Sequence, residues 1–354
     1  MIAIVVGTRP EIIKMSPIIR ACEEDRIPYY LLHTGQHYSY EMDRVFFDEL
    51  ELPQADDNLD VGSGHHGEQT AKILQGIEKV LMTRRTDVVL VQGDTNTVMA
   101  GALAAAKLHI PVGHVEAGLR SFDRRMPEEI NRVVADHLST YLFAPTGIAR
   151  DNLLHEGIPE ESIHITGNTI VDAVQQNLAI ARRNGDLLPG LGLTPGEYFL
   201  VTAHRAENVD DKTRLAGIFQ GLQAIQKEYG LPVIFPMHPR TQKMLSGFGI
   251  PHEGIRVMQP AGFLEFLQLE ANARLVLTDS GGVQEETCIL GVPCVTLREN
   301  TERPETLAVG SNMLAGTDAA SIADAVRRML GSETGWTNPF GDGTAGRRIT
   351  GLCS

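Results

Sequence analysis

Asp94, Glu116 and Glu128 are the residues of this 354-residue chain whose type and setting first suggest proton chemistry. Asp94 stands in Gln92-Gly93-Asp94-Thr95-Asn96-Thr97, just after the apolar run 88–91. Glu116 stands in His114-Val115-Glu116-Ala117-Gly118-Leu119-Arg120, and Glu128 in Pro127-Glu128-Glu129-Ile130-Asn131-Arg132. Each also has a structural reading. Asp94 suits the N-cap of the helix behind it, and Glu128 and Glu129 suit a first helical turn on dipole grounds. A cap explains Glu116 less well, because Gly118 follows it closely. Three carboxylates at adjacent strand ends raise one another's pKa, which is how a general acid and a general base coexist near neutrality.

Around them the chain offers places for an anion. In Gly7-Thr8-Arg9-Pro10-Glu11, Gly7 permits a tight bend and Pro10 suits a first helical turn. Only the first glycine of a dinucleotide fingerprint is present, which argues against NAD or FAD. Arg9 and Lys14 stand instead beside a helix N-terminus, a setting that favours an anion. The alternative is a solvated Lys14 and an Arg9 paired with Glu11. Asp279-Ser280-Gly281-Gly282 lets a backbone approach a phosphate closely. Glu285 and Glu286 follow, where a carboxylate can hold ribose hydroxyls, and Arg303 in Thr301-Glu302-Arg303-Pro304-Glu305 adds a cation. His204 and His238 each come just after a strand-like run, and His65-His66 form a loop pair. No histidine or cysteine spacing matches a metal site, and there is no G-x-S-x-G elbow. Neither metal nor cofactor is expected. Cations and helix N-termini for a diphosphate, with carboxylates for proton transfer, point to an enzyme acting on a nucleotide-activated sugar.

These residues need a scaffold of strands and helices. Apolar runs at 2–6, 29–33, 88–91, 112–115, 141–143 and 163–165 resume at 198–202, 233–235, 255–258, 275–278 and 294–297. Being nearly continuous in apolar residues, they read as parallel strands buried on both faces. Helical patterns such as 95–108, 168–183, 211–227 and 319–330 lie between them. The alternation predicts an α/β fold of two Rossmann-like doubly wound domains facing a cleft that holds the ligand. The Gly- and Pro-rich stretch 184–196 cannot continue a helix or a central strand. The domains are expected at residues 1–167 and 168–339.

Composition narrows the partners. With 42% apolar and 21% charged residues, the chain is globular and long enough for two domains. A net charge of −14 argues against a nucleic-acid partner, whose phosphates are gripped by clustered Lys and Arg. The chain opens directly on a strand-like run, and no stretch nears the ~18 apolar residues of a spanning helix. Neither a signal peptide nor a membrane partner is therefore expected. Cys22, Cys288, Cys294 and Cys353 show no C-x-x-C pairing and read as reduced thiols of a cytoplasmic protein.

Taken in order, G-T-R-P-E, Q-G-D-T, H-V-E-A-G-L-R, P-E-E-x-N-R, D-S-G-G-x-Q-E-E and T-E-R-P-E resemble the non-hydrolysing UDP-N-acetylglucosamine 2-epimerases. The likeness runs nearly the whole chain, through Asn338-Pro339-Phe340-Gly341-Asp342-Gly343. It implies a fold of glycosyltransferase B type, a homodimer, and a C-terminal helix at about 340–354 packing back on the first domain. It also implies interconversion of UDP-N-acetylglucosamine and UDP-N-acetylmannosamine without added cofactor. In that reaction, breaking the C1–O bond to UDP acidifies C2, and loss of its proton leaves 2-acetamidoglucal. Protonation from the opposite face and readdition of UDP invert C2.

By the same resemblance, Asp94, Glu116 and Glu128 look like the acid/base carboxylates, and His204 like a group contacting the departing diphosphate. Arg9, Lys14 and Arg303 are similar to its diphosphate-side cations, and Ser280, Gly281 and Gly282 to its phosphate turn. Glu286 resembles its ribose ligand. Phe266 resembles its uracil-side aromatic, with plain helix core as the alternative. Gln36 and His37 match a pair that in bacterial members helps bind an activating UDP-N-acetylglucosamine. Here the segment 35–42 is longer and differently followed, and a further arginine has no counterpart around 62–67, so little substrate activation is expected. Other readings are a sister epimerase of a UDP-2,3-diacetamido uronic acid, a retaining glycosyltransferase of the same fold, and a non-catalytic nucleotide-sugar binding protein.

Overall fold

The computed structural model describes residues 1–36 and 40–354. It divides into two compact units, Met1–Gln176 with Phe340–Ser354, and Asn177–Pro339. The division falls inside the helix Thr169–Arg183, later than the 167/168 boundary read from the sequence. The stretch 184–196 carries a short helix, Leu187–Leu191, which opens on the Asp186 side chain and stops at Gly192 in the left-handed region. Pro189 is tolerated there because first-turn amides need no intrahelical acceptor.

The first unit is built on β1 (Ile2–Val6), β2 (Tyr29–His33), β3 (Asp57–Asn58), β4 (Val88–Gln92), β5 (Val112–Val115), β6 (Tyr141–Ala144) and β7 (Ile163–Ile165). All pair in parallel, in the order β3-β2-β1-β4-β5-β6-β7. Every residue of β1 and β4 is buried, because helices cover both faces of the sheet. The helix Asn96–Lys107 is rich in Ala and Gly for a packing reason. A Cβ on Gly101 would lie 3.0 Å from Val91 Cγ1, so only small residues let this helix approach the sheet. The helix Ala345–Cys353 lies against Arg9–Asp25, where Gly346 faces Pro17 O with no room for a side chain.

The second unit repeats the plan with β8 (Phe199–Thr202), β9 (Val233–Pro236), β10 (Ile255–Met258), β11 (Leu275–Thr278), β12 (Cys294–Thr296) and β13 (Asn312–Leu314). Its parallel order is β10-β9-β8-β11-β12-β13. Phe199, Val201, Phe219, Phe235, Leu277 and Val295 lie in its larger core cluster. Fully burying each such side chain contributes roughly 1.5–3 kcal/mol. Every strand expected from the apolar runs is present, to within a residue or so at its ends. The short edge strands β3 and β13 carry Asp57, Asn58 and Asn312 and gave no apolar run to read.

In each sheet the chain order reverses once, between β1 and β4 and between β8 and β11. Ligands of open α/β sheets bind outside the carboxyl ends of the strands at such a switch point. Among the described residues, no helix is long and apolar enough to cross a membrane.

Candidate active site

At the first switch point the β1 turn is held by a carboxylate. A Cβ on Gly7 would lie 2.2 Å from Thr34 Oγ1 and 2.3 Å from Thr97 Oγ1, so only glycine fits. Glu11, buried in the first turn of Arg9–Asp25, accepts from the Gly7 amide (2.5 Å), the Thr8 amide (3.1 Å) and Thr95 Oγ1 (2.5 Å). It is therefore not the partner of Arg9. Arg9 Nε reaches Asp43 instead (3.5 Å), and its guanidinium lies over Phe46. Burial, only partly offset by these hydrogen bonds, pushes the Glu11 carboxyl up to about 7.

Because this folded-state value is raised, the stability Glu11 contributes is complete below the ordinary carboxylate range and is lost as pH rises through about 7. Urea unfolding of the wild type between pH about 5 and 8 is expected to show this decline, and Glu11→Gln to flatten it. An identical slope in the variant would remove Glu11 as its source.

The carboxylates come next. Asp94 does not cap the following helix; Thr95 does, accepting from the Val98 amide at 3.4 Å. The Asp94 carboxylate meets Arg132 Nη2 at 2.5 Å, while Asn131 Nδ2 donates to the Asp94 carbonyl at 2.9 Å. Glu128 is exposed at the start of Pro127–Leu138 and shares a recess of about 240 Å³ with Asp94, Gln36, His66 and Asn131. Its neighbour Glu129 is buried and structural, accepting from the amides of Ser121 and Phe122 at 2.9 Å each.

Glu116 follows β5 with φ of +71°, a left-handed backbone that costs a non-glycine residue energy. Lys14 Nζ sits 2.7 Å from both its carboxylate oxygens, and Gln92 Nε2 donates to Oε2. Lys14, expected beside Arg9 as a second anion-binding cation, is thus engaged by Glu116. Its stem on the second helical turn reaches the end of β5 directly.

The strained Glu116 turn is clamped from behind. His114 Nδ1 donates to Asp136 Oδ1 (2.6 Å) and Nε2 to the Gly93 carbonyl (2.8 Å). Both partners only accept, so the ring carries both protons. Arg120 Nη2 lies 2.7 Å from Asp136 Oδ2, and its Nε and Nη2 hold Glu156. Burial works against the His114 charge, but Asp136 and the Gly93 carbonyl raise its pKa above the usual value. Burial likewise opposes the Asp136 charge, yet His114 and Arg120 hold it below the carboxylate range. Asp136 lies on an amphipathic helix, and nothing in its spacing marks it as a partner of His114 and Arg120.

Gln36 is buried, and its Oε1 accepts from Thr97 N (3.0 Å) and Oγ1 (2.7 Å). Its carbonyl thus serves a helix start beside the recess. His37 lies outside the described residues.

At the second switch point, the buried Asp279 carboxylate accepts from the amides of His204 and Arg205 at 3.0 Å each and from Asn208 Nδ2 at 3.1 Å. His204 Nδ1 lies 3.3 Å from Asp279 Oδ1. Partial burial lowers the His204 pKa; Asp279 pulls the other way, and Arg205 and His238 add to the lowering. His204, Phe266 and Ser280 line one recess of about 280 Å³ with His238, Pro260, Ala261 and Val283. Phe266 packs partly against the core and partly lines this recess. Its apolar wall suits a planar base.

Ser280 precedes the helix Gly281–Leu290, whose first amides, including those of Gly281 and Gly282, have no intrahelical acceptor and favour an anion. Arg303 Nε holds the buried Glu285 at 2.8 Å, so a phosphate would have to share it. Glu286 neighbours Glu270, a fully buried carboxyl that burial and the Glu286 charge push well above its usual range. Glu270 lies in an apolar helical stretch whose sequence carries no signal of a buried carboxyl pair. Arg205 Nε donates to the Asp279 carbonyl at 3.2 Å.

Two parallel sheets, each with polar side chains gathered at its switch point, define an α/β protein of two Rossmann-like units. The UDP-N-acetylglucosamine 2-epimerase family model matches residues 20–353. The UDP-N-acetylglucosamine 2-epimerase of Methanocaldococcus jannaschii is 57% identical over 98% of this chain and 97% of its own. The UDP-2,3-diacetamido-2,3-dideoxy-D-glucuronate 2-epimerase of Pseudomonas aeruginosa is 41% identical over 98% and 97%. A crystal structure of the M. jannaschii epimerase in complex with UDP-GlcNAc and UDP superposes with a TM-score of 0.88, 57% identity and coverage of 99% and 98%. The chain belongs to the UDP-N-acetylglucosamine 2-epimerase family.

Proposed function

We propose that this chain interconverts UDP-N-acetylglucosamine and UDP-N-acetylmannosamine by elimination and readdition of UDP. The observation that carries the reading is the pairing of Asp94 and Glu128 in one recess at the switch point of the first sheet, with the Glu116 carboxylate near Gly93, the residue before Asp94. The second unit supplies what uridine diphosphate needs: the Phe266 wall for the base, Glu286 for the ribose, and the Ser280-Gly281-Gly282 helix start with His204 for the diphosphate. Arg303 adds cationic charge there.

As the C1–O bond breaks, its electron pair leaves on the UDP oxygen and the ring oxygen stabilises C1. One carboxylate takes the C2 proton, giving 2-acetamidoglucal. A second carboxyl group, in its protonated form, gives its proton to the other face of C2 and becomes a carboxylate while UDP adds back to C1. Several carboxylates are needed because one group cannot serve both faces.

Incubation with UDP-N-acetylglucosamine alone in deuterium oxide tests this. Proton NMR is expected to show UDP-N-acetylmannosamine deuterated at C2, with a little free UDP and 2-acetamidoglucal. Turnover only of the diacetamido uronate would reassign the substrate. Deuterium at C2 with no C1–O cleavage would exclude elimination.

A further inference from the structure

We infer that His66 is a further substrate-binding residue, whose Nε2–H donates to an acceptor oxygen on the sugar half of the nucleotide sugar; this rests on the activity proposed above. His66 opens the helix His66–Thr83, is exposed, and lines the recess that holds Asp94 and Glu128.

Its tautomer follows from a chain of amides anchored on backbone carbonyls, which can only accept. Gln69 Nε2 donates to the carbonyls of Gln36 and Gly62, both at 2.9 Å, so Gln69 Oε1 is an acceptor. The Asn96 group facing it at 2.8 Å must then be the NH2. Independently, Asn131 Nδ2 donates to the Asp94 carbonyl at 2.9 Å and approaches Asn96 Oδ1 at 3.4 Å, giving Asn96 the same orientation. The second hydrogen of Asn96 Nδ2 points to His66 Nδ1 at 3.2 Å. His66 Nδ1 therefore accepts, and the neutral ring carries its proton on Nε2. Among the described residues, Nε2 has no partner.

Among the described residues, no lysine or arginine lines this recess, and its charged members are carboxylates. Such a place repels phosphate and takes the uncharged part of the substrate, whose hydroxyls and acetamido carbonyl are acceptors. An N–H fixed beside the proton-transfer groups orients the sugar near C2.

The test joins structure and kinetics. Long-range proton–nitrogen NMR of labelled wild type, with His66→Gln for assignment, is expected to show the Nε2–H tautomer without ligand. His66→Ala is expected to lose kcat/KM for UDP-N-acetylglucosamine roughly tenfold, the scale of one lost hydrogen bond. UDP affinity by calorimetry should be unchanged, and His66→Gln, which keeps an N–H donor, should recover most of the loss. An Nδ1–H tautomer, a change in kcat/KM below about twofold, or an equal loss of UDP affinity would each overturn the inference. An inactive wild type would instead sink the activity reading, and His66 would then be judged on the tautomer and on calorimetry with UDP-N-acetylglucosamine against UDP.

Discussion

Asp94→Asn is expected to lower kcat by ~10²–10⁴, the usual loss when a positioned acid or base group is removed. The amide preserves shape and can still accept from Arg132 Nη2, so the turn after β4 should remain in place. What it lacks is a proton to give or a charge to take one. UDP affinity should stay close to wild type, because the groups proposed to bind UDP lie mainly in the second unit. Steady-state kinetics beside UDP calorimetry separates the two effects. If kcat stays within about tenfold of wild type, Asp94 is an anchor for Arg132 and the acid/base assignment is wrong.

Asp136→Ala is expected to be the most damaging change to stability among the residues that position the site. It leaves two buried cations, His114 and Arg120, without a shared counter-charge, and breaking such a network costs about 3–5 kcal/mol. Urea unfolding measures this directly, and a loss under about 1 kcal/mol would count the clamp as incidental.

The pH dependence carries a sign. Asp136 is held below its ordinary value, so its contribution is present above that value and is lost as pH falls through the folded one. His114 is held above its ordinary value, so its contribution is complete below that value and is lost as pH rises through the folded one. Wild type should therefore be most stabilised by the clamp between the two ranges, and the variant should lose both slopes. Activity should fall as well, since His114 ties the Glu116 turn to Gly93 beside Asp94.

Much of this architecture was legible along the chain. Strands such as β1 and β4 are buried on both faces, so they read as unbroken apolar runs, and the residues just after them fall automatically at the carboxyl edge of a parallel sheet. That places Asp94, Glu116, His204 and Ser280 at their turns without any knowledge of packing. The Glu11 anchor was also available: Thr8-Arg9-Pro10-Glu11 has the T-x-x-E spacing of a carboxylate reaching back to a helix start. Asp136 and Glu270 carried no comparable signal. A polar residue on an amphipathic helix reads as solvent-facing unless its partner is known.

The chain alone therefore determined the alternation of strands and helices and the order of the site turns, because burial and period are local properties of neighbouring residues. It did not determine which charge meets which. Lys14 on Glu116, Arg303 on Glu285, Arg120 on Asp136 and the amide relay that sets the His66 tautomer join residues far apart in sequence. Those pairings depend on side-chain reach and on the need of each buried charge or donor for a partner, and both are settled only when the helices close over the sheets.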